Sequence, residues 1–165
     1  MFYSIQNNTP EDTFSLEEEM HKFLPYAKDY LKFNKPLKII LDYPENHKDP
    51  FAPTGNYNPQ NNVVVVFIQG RHTKDILRSL AHELVHHTQN CLGMFSDDFL
   101  MGDGAVEGYA QNNKHLRKAE IEANGTMLLR DYEDYRKNKN KKINEEYTWD
   151  NKWKKFMIKE LKNGR

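Results

Sequence analysis

His82 and His86 stand four residues apart, with Glu83 between them, in a stretch whose apolar residues recur at helical spacing. Ile76, Leu77, Leu80, Ala81, Leu84 and Val85 share one face of that helix, which must pack on a core. Four residues turn a helix by about 400°, so both imidazoles project from one side, about one turn apart. A fold that accepts this chain must therefore bury Leu84 and Val85 while the histidine pair faces a common space. Thr73 or Asp75 is the expected N-cap, the helix is expected to end near Asn90, and Gly93 follows it.

Around that helix the pattern predicts a small α+β domain. Ser15-Leu16-Glu17-Glu18 reads as a capping box, with Ser15 as N-cap and Glu18 reaching back. Leu16, Met20, Phe23, Leu24, Ala27, Tyr30 and Leu31 then follow helical spacing and predict one buried face. Pro25 lies inside that pattern and is expected to kink or divide the helix, and Pro36 closes it. Leu37–Leu41 reads as a short strand, and Val63–Ile68 gives the strongest strand signal in the chain. Between them, residues 42–62 carry Pro44, Pro50, Pro53, Gly55 and Pro59 among Asn and Asp, the composition of a long loop or lid. A second long helix is expected from about Tyr109 to Tyr135, with Gly125 a weak point. Residues 138–144 read as a polar, lysine-rich break. A last amphipathic helix is marked by Trp149, Trp153, Phe156, Met157 and Leu161.

The His82-Glu83-Leu84-Val85-His86 arrangement is chemically specific. Two neutral imidazoles one turn apart can hold one zinc ion at about 2.0–2.1 Å each, and Glu83 sits where it can reach water on the same side. Two solvated histidines on a helix surface are the plainer alternative. A catalytic zinc needs a third protein ligand, and the second long helix offers Glu120 and Glu122. With Ala81-His82-Glu83-Leu84-Val85-His86 followed by Glu120-Ile121-Glu122-Ala123-Asn124, the chain resembles the gluzincin peptidases. The small size is similar to that of the minigluzincins and of compact repressor-cleaving zinc peptidases. Positions 89 and 92 are Gln89 and Leu92, so the third histidine of the metzincin pattern is missing.

The resemblance implies a zincin-like fold, in which a short mixed sheet packs on the histidine-bearing helix and on a following glutamate-bearing helix. It implies one zinc per chain, bound by His82, His86 and Glu120, with Glu122 the alternative to Glu120. Asn124 would hydrogen-bond a ligating histidine from behind. Glu83 would act as general base in hydrolysing a protein or peptide substrate, with Tyr109, His115 or Tyr132 as candidate donors to the developing oxyanion. Val63–Ile68 would be the sheet edge on which an extended substrate lines up. The alternative is a non-catalytic zinc-binding structural or interaction module, with the basic tail docking an acidic partner. His87, five residues from His82, is expected beside the ligands or at the surface. His21, His47, His72 and His115 read as unrelated to metal.

Composition narrows the setting. At 165 residues one domain is expected, with 136–165 as a basic C-terminal helical extension. Formal net charge is zero, yet residues 136–165 hold 11 Lys/Arg against 4 Asp/Glu, leaving an acidic body. That tail leaves nucleic acid as a disfavoured partner class, and a solvated helix face is the simpler reading. The single cysteine, Cys91, excludes an intramolecular disulfide and suits a reducing compartment. No basic, apolar leader pattern opens the chain, and its longest apolar run is too short to cross a bilayer. A cytoplasmic protein without membrane contact is expected, and the Asn-x-Thr triplets at Asn7 and Asn124 read as chance.

Overall fold

The computed structural model describes residues 1–45, 53–93 and 128–142. The order is β1 (Tyr3–Asn7), α1 (Phe14–Leu31), β2 (Leu37–Asp42), β3 (Gly55–Asn58), β4 (Val63–Phe67) and α2 (Thr73–Cys91). A further helical stretch, α3, covers 128–142. The architecture is α+β, with one four-stranded mixed sheet in the order β1-β2-β4-β3. β1 and β2 are parallel, joined through α1, and β2 is parallel to β4. β3 and β4 form an antiparallel hairpin, with Gly55 opposite Val66 and Asn58 opposite Val63. The chain separates into two compact units, Met1–Leu129 and Arg130–Arg165. Among the described residues no helix is long and apolar enough to cross a membrane.

Strand alternation supplies one face of the core. Leu37, Ile39 and Leu41 of β2 and Val64 and Val66 of β4 are buried, while the residues between them are not. Met20, Phe23, Leu24 and Ala27 of α1 and Leu80 and Leu84 of α2 are fully or almost fully buried. Each of these side chains except Ala27 contributes roughly 1.5–3 kcal/mol by leaving water. α1 packs on α2, and α2 packs on β3 and β4.

Several expectations change. Ser15 is not the N-cap: α1 starts at Phe14 after Thr13, whose hydroxyl bonds the Glu17 carboxylate at 2.5 Å, and the Asp12 carboxylate accepts the Phe14 N–H at 3.0 Å. Pro25 does not divide α1, which runs as one 18-residue helix. Its side chain is exposed, and buried Leu24 and Ala27 hold the helix on both sides of it, outweighing a local penalty of about 3 kcal/mol. Tyr30 is 47% exposed rather than buried; it lies at the helix end, where its ring meets Tyr26 at 5.8 Å. His72 precedes α2 as N-cap, so Thr73 opens the helix and Asp75 lies in its first turn, where an acid favours the helix dipole. Residues 138–142 stay helical, because lysine propagates a helix well despite its polarity. The strands β1 and β3 stand where no strand was read from the sequence.

The position of β4 also corrects the expected substrate edge. Val63–Phe67 pairs with β2 on one side and β3 on the other, so it lies inside the sheet. Among the described residues the outer antiparallel strand beside α2 is β3, drawn from the later part of the proline- and asparagine-rich segment.

Candidate functional site

The rotation of α2 places Leu84 at 0% and Val85 at 8% exposure on the core side, and brings His82 and His86 together on another side. Their Nε2 atoms are 3.2 Å apart and their rings are nearly perpendicular, at 80°. An ion at about 2.0–2.1 Å from both atoms would subtend roughly 100° between them, close to the tetrahedral value. The His86 Nδ1–H donates to Oε1 of buried Gln89 at 3.0 Å. That bond places the proton on Nδ1 and leaves the Nε2 lone pair for the shared space. Two imidazole nitrogens thus stand at a spacing that one metal ion could bridge, one of them oriented from behind.

Glu83 is buried, at 7% exposure, and lies toward β3. A Cβ built on Gly55 would stand 3.0 Å from Glu83 Oε1 and 3.1 Å from its Cγ. The carboxylate thus occupies space that any other residue at position 55 would need. No strand was expected at Gly55, and this contact could not be read from the sequence.

His87 is neither a surface group nor a neighbour in the shared space; it is completely buried on a different side of α2. Its Nε2–H donates to the Lys35 carbonyl at 3.0 Å, which leaves Nδ1 to accept the Tyr57 hydroxyl proton at 3.0 Å. Burial lowers the His87 pKa and holds the ring neutral. Asn90 Nδ2 points at the Tyr57 hydroxyl, the Pro59 carbonyl and Asn62 Oδ1, at 2.7, 3.0 and 3.1 Å. Burial pushes the Tyr57 hydroxyl up to about 12, against the opposing pull of the Asn90 amide. At the other end, Arg71 donates to the Thr54, Phe67 and Asp75 carbonyls and to the Ser79 hydroxyl, at 2.7–3.2 Å. Tyr57, Arg71 and Ser79 were not singled out in the sequence, because each looks like an ordinary loop or helix-surface residue.

Glu120, Glu122, Asn124, Tyr109 and His115 lie outside the described residues. Among the described residues no group of three or more His, Cys, Asp or Glu side chains could hold a metal ion. Tyr132 is on α3, 2% exposed, with the Arg136 guanidinium 5.6 Å from its ring centre. His72 is exposed, and His21 bonds the Tyr3 hydroxyl. Cys91 is a half-buried free thiol, 3.8 Å from His87 Nε2. The chain matches no protein-family model, no curated protein and no solved structure.

Proposed function

We propose that the chain is a zinc-dependent peptidase that hydrolyses peptide bonds in an extended protein or peptide segment. The observation that carries this reading is the His82–His86 Nε2 pair at 3.2 Å, with buried Glu83 on the same helix and its carboxylate against β3. His82 and His86 would hold the ion, and Glu120 would complete the set. A zinc ion bound there supplies Lewis acidity, polarising the scissile carbonyl and lowering the pKa of water toward neutrality. Glu83 takes the proton from the attacking water and delivers it to the leaving amine. Tyr109 and His115 are candidates to donate a hydrogen bond to the developing oxyanion. The substrate adds along β3, where backbone groups of an outer strand give affinity without demanding a sequence.

Metal analysis and hydrolysis of a peptide library test this together. The wild-type chain should purify with about one zinc, and His86→Ala should lose it. Glu83→Gln should keep the zinc and lose roughly 10²–10⁴-fold in rate, the usual contribution of a general base. A fully zinc-loaded wild-type chain that cleaves nothing would instead identify a zinc-bearing interaction module. Cleavage at the wild-type rate by Glu83→Gln would remove the proposed base.

A further inference from the structure

Glycine weakens a strand, because it has no side chain to pack and loses more backbone freedom on folding. At Gly55 the backbone is not in the left-handed region, so turn geometry does not account for the glycine. What does account for it is Glu83, whose Oε1 and Cγ would stand 3.0 and 3.1 Å from a Cβ there. We infer that Gly55 is a positioning residue for hydrolysis: by lacking a side chain it lets the Glu83 carboxylate lie against β3 in the orientation its work as base requires. This rests on the peptidase reading above.

The contact is aimed, because β3 and α2 run side by side in step. Residues 55 and 57 lie on one face of the strand, about 6.6 Å apart, while 83 and 87 are separated by about 6 Å along the helix. Gly55 accordingly meets Glu83, and Tyr57 meets His87. The strand cannot drift outward to admit a side chain, since it is tied to α2 on both sides of Gly55. Before it, Arg71 bonds the Thr54 carbonyl and also the Asp75 carbonyl and Ser79 hydroxyl of α2. After it, Asn90 of α2 bonds Tyr57, Pro59 and Asn62. A methyl at position 55 must therefore displace Glu83 rather than the strand.

The test is Gly55→Ala, read in two ways. On the peptide library, at equal zinc content, kcat should fall roughly tenfold while KM stays near the wild-type value, since a carboxylate moved by tenths of an ångström loses alignment and not substrate binding. The second reading needs no activity. Gly55→Ala should lower the melting temperature by about 2–8 °C in the wild-type background. In a Glu83→Ala background the loss should be smaller by at least half, because the closest group in its way is gone. The Val65 carbonyl, 3.2 Å from the same Cβ, is present in both backgrounds and cancels. Equal melting losses in the two backgrounds, or hydrolysis with unchanged kcat in Gly55→Ala, would overturn the role given to Gly55 and leave the peptidase reading standing. A zinc-loaded wild-type chain without hydrolysis overturns that reading, and this role with it.

Discussion

Gln89 illustrates how one amide can set the chemistry of an imidazole that it follows by three residues on a helix. Its Oε1 accepts the His86 Nδ1–H at 3.0 Å, and at 3% exposure water competes weakly for that bond. An imidazole that can relocate its proton to Nε2 loses its lone pair for metal in that fraction of molecules. Gln89→Leu should therefore weaken zinc binding about 10–100-fold, the usual effect of removing such a partner. Gln89→Glu, which keeps an acceptor oxygen at the same reach, should restore most of it. Competition against a chromophoric chelator measures both, and equal affinities for Gln89→Leu and wild type would show that His86 holds its tautomer without help. The sequence offered Gln89 only as a position where a third histidine was missing; its spacing of three from His86 on a helix was the available signal.

At the level of elements, what could be read in advance was whatever repeats along the chain. α2, β2 and β4 announce themselves by apolar periodicity, and the apolar residues the period selects are buried. α2 also buries Ser79, Glu83, His86, His87, Gln89 and Asn90, which no apolar period marks. The hairpin strand β3 has no such period: Gly-Asn-Tyr-Asn holds one apolar side chain, and its fold depends on polar bonds to α2, thirty residues away. β1 is an outer strand with a half-exposed pattern, equally quiet in sequence. The site was therefore half legible. Its helix side was visible as a motif, whereas its strand side is defined by partners that only the folded chain brings together. Tyr57 is the link between hairpin and helix, and its titration reports whether the link is made. A hydroxyl raised from its ordinary value near 10 to about 12 stabilises the fold fully below pH 10, and that contribution is lost as pH rises through 12. Phenolate absorbance of the folded protein should include a component that ionises near pH 12, and Tyr57→Phe should remove that component. An unchanged late component in Tyr57→Phe would mean that the hairpin does not bury this hydroxyl in solution.

For the whole molecule, the ion is expected to do more than chemistry. His82 and His86 belong to one helix, but the proposed third ligand, Glu120, stands 34 positions further along the chain. Such a set exists only in the folded protein, so the free energy of binding becomes free energy of folding. Zinc at a hundredfold excess over its dissociation constant should stabilise the native chain by about 2.7 kcal/mol, or roughly 5–10 °C in melting temperature for a chain of this size. A strong chelator should reverse the gain. The same experiment assigns the third ligand, because closing a long loop stabilises only when both ends are bound. Glu120→Ala should abolish most of the zinc-dependent shift, while Glu122→Ala should keep it. The reverse pattern would move the ligand to Glu122. A wild-type chain whose melting temperature ignores both zinc and chelator would contradict a resident ion altogether, since no native-state ligand can bind tightly without raising the stability of the state it binds.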